Sequence, residues 1–289
     1  MWKHILVLAN IIIPRFYINH MDEILCVMVT CSNEYIVQDQ IESILWGIKH
    51  PINIIVVNDG NKNFSFKDKN IYVIKPKGKI HHASKVGFKA NEGLAWAIKN
   101  ELPFKFAMIM DDDALILGKG LENFAFDIFK NKKIGMIAVK DDTKANSAYS
   151  NVNKIKNYNR FIYEWTGQKD FEIPKEFAFY AVNFQSYELI KTLYQNGILE
   201  SEKEIWPYPC ETFQTIFTKI FGFKIHYHGQ YPNDLLPPLY VMHHGSVRPE
   251  DPRKISNKFL VHHSIRQIKN VKESLIRSYY KKIRKLKHL

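Results

Sequence analysis

The chain has 289 residues, with 41 Lys and Arg against 29 Asp and Glu, which gives a formal net charge of +12. Hydrophobic residues make up 46 % of it, which excludes a disordered chain and is enough for a packed core. Three cysteines are too few for a secreted disulfide scaffold, so we expect a reducing compartment. No apolar run reaches the roughly 18 residues of a membrane-spanning helix. The charge indicates a polyanionic partner: nucleic acid, a nucleotide or an anionic membrane.

The N-terminal segment 1–20 is predicted to be an extension outside the folded domain. Residues 5–13 (ILVLANIII) resemble the apolar core of a signal peptide, but Pro14 and Arg15 follow and no small-residue cleavage site appears. We expect translation to start at Met21, or residues 1–20 to be loosely attached.

Buried strands and amphipathic helices alternate along the first half of the chain. Apolar runs predict the strands, and apolar residues at three-to-four spacing predict the helices. In order, the predicted elements are strand Ile24–Thr30, helix 34–49, strand Ile52–Val57, strand Ile71–Ile74, helix 85–100 and strand Phe106–Met110. This alternation predicts an α/β fold with a largely parallel sheet, in which ligands bind at the carboxyl ends of the strands.

The second half is less regular. Residues 141–160 are polar and predict a loop, and Gly222 suits the position just after a helix. The remaining predicted elements are strands Ile134–Val139, Ala178–Phe184, Lys224–Tyr227 and Leu239–Met242, and helices Ser186–Asn196 and 211–221.

Three consecutive acids, Asp111–Asp113, follow the last strand of the first half. Adjacent carboxylates repel one another, and a Mg²⁺ or Mn²⁺ ion that bridges them to substrate phosphates would stabilise them. The alternative is a solvated acidic turn. Other strands of the predicted sheet are also followed by polar residues, namely Thr30, Asn33 and Asp59. Because all these strand ends would line one crevice, the pattern favours a ligand site.

Three motifs resemble those of the family 2 GT-A glycosyltransferases. IVVND at 55–59, N-E-G at 91–93 and MIMDDDALIL at 108–117 look like the family's I-V-V-D-D-G-S, A-x-N-x-G and D-x-D elements, in the same order. Asn58 departs from the pattern, since the family has Asp there. The resemblance is good over residues 24–121 and looser beyond.

The resemblance implies a GT-A fold, a Rossmann-like mixed sheet of the nucleotide-diphospho-sugar transferases flanked by helices. It implies a nucleotide-sugar-binding half at 21–120 and an acceptor-binding half at 121–250, followed by a basic tail at 251–289. The D-x-D element matches Asp111 and Asp113, as ribose and metal contacts, and an H-x-G-like element begins at His243. Lys89 is a further candidate for the diphosphate, with a solvent-facing helix start as the alternative. The implied nucleotide-sugar contacts are Thr30, Asn33, Asp59, Lys89, Asn91, Asp111, Asp112 and Arg248, and the implied metal ligands are Asp111, Asp113, His243 and His244.

Glu211 falls where the family has its catalytic base, eleven residues before Gly222. Glu replaces the family's Asp there, and Cys210 replaces the preceding Glu. This position implies a single displacement with inversion at the sugar C1. The alternative is a helix N-terminal acid favoured by the helix dipole.

The resemblance therefore implies a Mn²⁺- or Mg²⁺-dependent hexosyltransferase. It would move one sugar from a nucleotide-sugar donor to a glycan or lipid-linked acceptor in surface polysaccharide synthesis. The Q-x-x-R-W signature of processive synthases is lacking, which favours transfer of a single sugar. A sugar-phosphate nucleotidyltransferase is the alternative from the same sheet. It normally has a Gly-rich loop after the first strand, where this chain has TCSNE at 30–34.

The positive charge is concentrated at the C-terminal end. From Arg248 onward 13 residues are basic and 3 acidic, so residues 1–247 carry a net charge of only +2. Residues 256–289 place apolar side chains at three-to-four spacing among lysines and arginines, which predicts a basic amphipathic helix on an anionic membrane surface. We therefore expect a cytoplasmic protein at the inner face of the membrane. The alternatives are a helix packed on the domain and, less favoured, nucleic-acid binding, which would give the acid cluster no role.

Overall fold

The computed structural model describes residues 23–77, 86–141, 162–164, 167, 171, 174, 177–178, 182–200, 210–231, 240–242, 261–263 and 272–286. Only the backbone is described at residues 86, 141, 210–212, 229–231, 240–242 and 262–263. The predicted extension 1–20, and the predicted loop 141–160 apart from residue 141, lie outside these ranges.

Strands and helices alternate along the described chain, as the sequence predicts. The strands are β1 (Ile24–Thr30), β2 (Ile52–Asn58), β3 (Ile71–Ile74), β4 (Phe106–Asp111), β5 (Ala114–Ile116), β6 (Ile134–Asp141), β7 (Phe177–Ala178), β8 (Val182–Ser186), β9 (Lys224–Tyr231), β10 (Tyr240–Met242) and β11 (Val261–His263). The helices are α1 (Glu34–Gly47), α2 (Val86–Lys99), α3 (Leu121–Ile128), α4 (Tyr187–Gln195), α5 (Cys210–Ile220) and α6 (Glu273–Leu286).

The central sheet is mixed and mostly parallel on the side that carries the predicted ligand site. Its strand order is β3-β2-β1-β4-β8-β6-β7, with β9 paired to β6. Strands β3, β2, β1 and β4 are parallel neighbours, and β8 lies antiparallel between β4 and β6. A small second sheet has the order β10-β11-β5. The α/β fold predicted from the sequence is confirmed.

Hydrophobic clusters cover both faces of the central sheet. Alternate residues of a strand point to opposite faces, so Leu25 and Val27 join one cluster while Ile24 and Cys26 join the other. Helices α2, α4 and α5 pack on the first face, and α1 and α3 pack on the second. The strand ends are therefore held by buried layers on both sides.

Gly93 lets helix α2 approach the sheet closely. A Cβ atom at this position would lie 2.7 Å from Val27 Cγ1 and 3.0 Å from Val57 Cγ2. Overpacking of this kind costs about 1–3 kcal/mol, and the better helix propensity of Ala returns about 1 kcal/mol of it. We expect Gly93→Ala to lower the free energy of unfolding by about 1 kcal/mol, measured by urea denaturation. An increase in that free energy would contradict the close approach.

His228, buried near the middle of β9, makes the fold sensitive to acid. Burial, with a smaller contribution from His226, lowers the pKa of its imidazole to about 4, whereas a histidine in the unfolded chain titrates near 6.5. Below about pH 6.5 the unfolded chain therefore binds a proton that the folded protein rejects, and stability is lost as the pH falls to about 4. The expected loss from this residue is about 3 kcal/mol.

The test compares urea denaturation of the wild type and the His228→Gln variant at pH 7 and pH 4. The decline in unfolding free energy from pH 7 to pH 4 should be about 3 kcal/mol smaller in His228→Gln than in the wild type. His226→Gln is the control and should change the decline less, because His226 is only partly buried. Equal declines in wild type and His228→Gln would contradict the prediction.

The C-terminal segment does not form the single helix predicted over residues 256–289. Residues 261–263 form strand β11, which pairs with β5 and β10, and the described helix α6 covers Glu273–Leu286. Helix α6 packs on the domain through Ile276 and Tyr280, which are buried against Leu115 and Leu117. Leu275 and Leu286, at 63 % and 69 % exposure, face solvent instead.

One further predicted element differs from the structure. The single strand predicted at Ala178–Phe184 is two strands, because β7 pairs with β6 while β8 lies between β4 and β6. The sequence did not predict β5 or α3. Among the described helices, none combines the length and apolar character that crossing a membrane requires.

Candidate functional site

Three adjacent strands end together at one edge of the central sheet. Thr30, the last residue of β1, is in register with Asn58, the last of β2, and Val29 is in register with Asp111, the last of β4. The backbone N–H of Asp59 donates to the carbonyl oxygen of Thr30 at 2.8 Å and fastens two of these ends together. The convergence of polar strand ends predicted from the sequence is therefore confirmed.

Asn58, the departure from the family pattern, organises the turn after β2. Its Nδ2 donates to the carbonyl oxygen of Lys62 at 2.6 Å, and its Oδ1 accepts from the N–H of Gly60 at 3.0 Å. A carboxylate could accept the second bond but not donate the first. Asn at this position thus fixes the loop that carries Asp59.

Asp59 and Lys89 form a largely buried ion pair between the end of β2 and helix α2. Both were predicted nucleotide-sugar contacts, and the structure brings them together. Asn91, two residues further along α2, is buried, and its Nδ2 has no hydrogen-bond partner in the described part of the chain. Helix α2 thus carries the lysine of a buried ion pair and, at Asn91, a buried amide donor, which is costly to leave without a partner.

The acidic turn is fastened to the end of β1 through its middle residue. Oδ2 of Asp112 accepts hydrogen bonds from Thr30 Oγ1 and Ser32 Oγ, each at 2.7 Å. Gln40 of helix α1 donates from Nε2 to the backbone oxygen of Asp111 at 2.5 Å. Asp112 therefore positions the turn, and the two acids at its ends, Asp111 and Asp113, are those that match the D-x-D element.

The oxygen donors of Asp111 and Asp113 fit a Mg²⁺ or Mn²⁺ ion that also binds substrate phosphates. Such ions commonly take one or two carboxylates from the protein and complete their shell with phosphate oxygens and water. In the part of the chain that the structure describes, no group of three or more His, Cys, Asp or Glu side chains is arranged to hold a metal.

The predicted catalytic base, Glu211, is the second residue of helix α5, and its side chain lies outside the described atoms. The start of α5 is located by its packing against helix α2. The ring of Phe213 lies 4.9 Å from that of Phe88 on α2, the residue before Lys89. The backbone at the start of α5 is thereby attached to the helix that carries Lys89 and Asn91. The predicted ligands His243 and His244, and Arg248, lie outside the described residues.

Asn33 has a structural role that its prediction as a nucleotide contact did not include. It is the N-cap of α1, where its Oδ1 accepts from the N–H of Ile36 at 3.2 Å. The sequence interpretation missed Ser32 and Gln40 as partners of the acidic turn. Ser32 could have been found from its place in the loop after β1, whereas Gln40 lies within an ordinary helical pattern.

Neither a protein-family profile nor a curated protein sequence matches the chain. Two of the solved structures similar to it are glycosyltransferases. A mannosyltransferase from Pyrobaculum calidifontis, in complex with GDP-Man and Mn²⁺, is 12 % identical, with a TM-score of 0.41 over 71 % of this chain and 54 % of its own. A glycosyltransferase involved in the glycosylation of the major capsid of PBCV-1 is 10 % identical, with a TM-score of 0.43 over 89 % of this chain and 98 % of its own.

This chain spans about half the length of the mannosyltransferase. Both TM-scores lie below 0.5, and the reaction of this chain is not inferred from either likeness. Membership of family 2 stays a prediction.

Proposed function

We propose that this protein is a glycosyltransferase that uses a nucleotide-sugar donor and a divalent metal ion. The observation that carries the proposal is the convergence of three strand ends, which places the Asp59–Lys89 pair and the Asp111–Asp113 turn along one edge of the sheet. A nucleoside diphosphate needs polar groups for its base and ribose, and a cation for its phosphates. The Asp59–Lys89 pair offers polar groups, and the carboxylates of the turn could hold the cation.

The nucleoside end of the donor is proposed to bind beside Asp59. Its carboxylate can accept hydrogen bonds from a base, while the ion pair with Lys89 holds it in place. Thr30 and Asn33 belong to the neighbouring loop, and the amide of Asn91 supplies a donor. The ion pair also limits how far Asp59 can move toward a ligand, since separating a buried pair leaves an uncompensated charge.

The diphosphate end is proposed to bind beside Asp111 and Asp113, whose carboxylates would hold a Mn²⁺ or Mg²⁺ ion. Such an ion would supply electrostatic stabilisation of the departing nucleoside diphosphate. His243 or His244 is proposed as a further ligand, and Arg248 as a bidentate contact to phosphate oxygens. Glu211 is proposed to remove the proton of the acceptor hydroxyl, which implies inversion at the sugar C1. The proposed acceptor is a glycan or lipid-linked sugar of surface polysaccharide synthesis.

The loop after β1 disfavours a sugar-phosphate nucleotidyltransferase. Three residues, Cys31–Asn33, separate β1 from α1, and Asn33 caps the helix. Ser32 is bound to Asp112 at 2.7 Å. No glycine occurs among these residues, so this loop lacks the backbone freedom with which a Gly-rich loop encloses a triphosphate.

Thermal-shift measurements with a panel of nucleotide sugars test the proposal. At a hundred times its Kd, the correct donor should stabilise the fold by about 2.7 kcal/mol, roughly 5 °C in Tm, and the shift should need Mn²⁺ or Mg²⁺. Sugar transfer should then release nucleoside diphosphate. No shift with any nucleotide sugar, with or without metal, would overturn the proposal, as would release of pyrophosphate from an NTP and a sugar phosphate.

The exposed face of α6 is proposed to bind the anionic inner surface of a membrane. This face is made up of Leu275, Lys282, Lys285 and Leu286, all exposed and spaced to lie on one side of the helix. Each lysine near an anionic surface contributes about 1 kcal/mol. The arginines that the sequence placed on the polar side contribute less, because Arg277 and Arg284 are buried.

Sedimentation with vesicles tests this partner. Wild type should bind phosphatidylglycerol vesicles and not phosphatidylcholine vesicles, and Lys282→Gln with Lys285→Gln should weaken binding about tenfold or more. Lys130→Gln with Lys132→Gln removes two other exposed lysines and should not. Equal binding to both vesicle types, or preference for duplex DNA over vesicles, would overturn the proposal.

A further inference from the structure

A buried cluster of charges joins helix α6 to helix α1. Arg277 donates from Nη1 to Oδ2 of Asp39 at 3.0 Å, and Arg284 donates from Nη2 to Oδ1 of the same carboxylate. Exposure is 1 % for Arg277, 1 % for Asp39 and 5 % for Arg284. Burying such charges is expensive even when they are paired, and apolar residues often serve stability equally well. Stability alone therefore does not account for this cluster.

The two arginines differ in what else they contact. Arg277 also donates from Nε to Oε1 of Glu273 at 2.8 Å and from Nη2 to the backbone oxygen of Asp112 at 2.8 Å. Arg284 has no hydrogen bond to the acidic turn in the part of the chain that the structure describes. Both arginines thus share the carboxylate of Asp39. Of the two, Arg277 alone contacts the turn that carries the D-x-D acids.

The hydrogen bond from Arg277 to the carbonyl oxygen of Asp112 fixes the peptide unit between Asp112 and Asp113. A peptide unit is planar, so anchoring the carbonyl of Asp112 also orients the amide of Asp113 and hence the start of its side chain. The preceding peptide unit is anchored in the same way, because Gln40 holds the carbonyl of Asp111. The guanidinium also brings a positive charge to three consecutive carboxylates, which lowers their mutual repulsion.

We propose that Arg277 is a positioning residue of the donor site, which presets the Asp111–Asp113 turn for the divalent cation. Helix α6, more than 150 residues further along the chain, is then part of the site rather than a separate tail. The cation role of the turn comes from the proposed function, but the positioning of the turn by Arg277 can be measured without it.

The experiment compares Arg277→Met with Arg284→Met in the full chain. Each variant leaves Asp39 with one arginine, so the two are matched in the charge they remove. Hydrogen exchange of the amides at residues 111–114, without ligand, should be about tenfold faster in Arg277→Met, on the scale of one lost charge-assisted hydrogen bond. Arg284→Met should stay within about twofold of wild type. Arg277→Lys, whose single ammonium can replace only part of the fork, should lie between.

Mn²⁺ binding is followed in the same proteins by the electron paramagnetic resonance signal of the free ion. Arg277→Met should raise the Kd for Mn²⁺ about tenfold, Arg277→Lys should restore part of the affinity, and Arg284→Met should leave it unchanged. Equal effects of the two Met variants on exchange and on Mn²⁺ binding would overturn the positioning role. If the wild type binds no Mn²⁺, the proposed metal function fails, and the exchange rates alone decide the positioning role in the same way.

Discussion

Replacing Asp113 by Asn is expected to lower kcat/KM about a thousandfold, on the scale of several kcal/mol of metal-assisted charge stabilisation. Asn keeps the size of the side chain and removes the negative charge that a hard cation prefers. The Mn²⁺ concentration for half-maximal activity should rise as well. Initial rates with the donor found by thermal shift, measured over a range of Mn²⁺ concentrations, check both expectations.

Two other Asp→Asn variants are the controls for Asp113→Asn. Asp127→Asn removes an acid that is exposed and paired on the surface with Lys130, and it should leave the rate unchanged because such pairs contribute little. Asp112→Asn should cost about tenfold or less, since the amide oxygen can still accept from Thr30 and Ser32. A greater loss from Asp112→Asn than from Asp113→Asn would show that the metal role is assigned to the wrong acid.

The first half of the fold could be predicted because its signals are local. Strand β1 was predicted with its observed bounds, Ile24–Thr30, and strands β2 and β4 each extend one residue beyond the prediction. A run of buried β-branched residues bounded by polar ones has few other conformations available. The convergence of Asp59 and Asp111–Asp113 followed from the same source, since parallel strands end at one edge.

The C-terminal segment was mispredicted because its structure depends on distant partners. A basic residue within an amphipathic pattern is ordinarily solvated, and no local signal distinguishes Arg277 from Lys282. What buries Arg277 is Asp39, which lies 238 residues earlier in the chain. The strand β11 is short, and it is stabilised by pairing with β5 and β10 rather than by its own sequence.

Within the site, the residue types were predictable and their mutual contacts were not. No local pattern pairs Lys89 with Asp59, and none indicates that the carboxylate of Asp112 accepts hydrogen bonds from Thr30 and Ser32. These contacts depend on the spacing of neighbouring strands and on rotamers that only the assembled sheet selects. They identify Asp112 as an acid that holds the turn.

Replacing Glu211 by Gln is expected to lower kcat by a factor of about 10²–10⁴, the usual contribution of a general base. The amide keeps the shape of the side chain but cannot accept the proton of the acceptor hydroxyl. The KM for the donor should change little, because the donor is proposed to bind at the ends of β1, β2 and β4. In the wild type, kcat should fall toward acid pH as the base is protonated, and this limb should be absent in Glu211→Gln.

The control for Glu211 is another acid in the first turn of a helix. Glu188 occupies the first turn of α4, so Glu188→Gln removes a comparable interaction with the helix dipole, about 0.3–1 kcal/mol, away from the proposed site. It should lower stability slightly and leave kcat and its pH profile unchanged. Wild-type turnover in Glu211→Gln would make Glu211 a helix N-terminal acid like Glu188. Retention of the anomeric configuration in the product, measured by NMR, would exclude the single displacement that a base at this position implies.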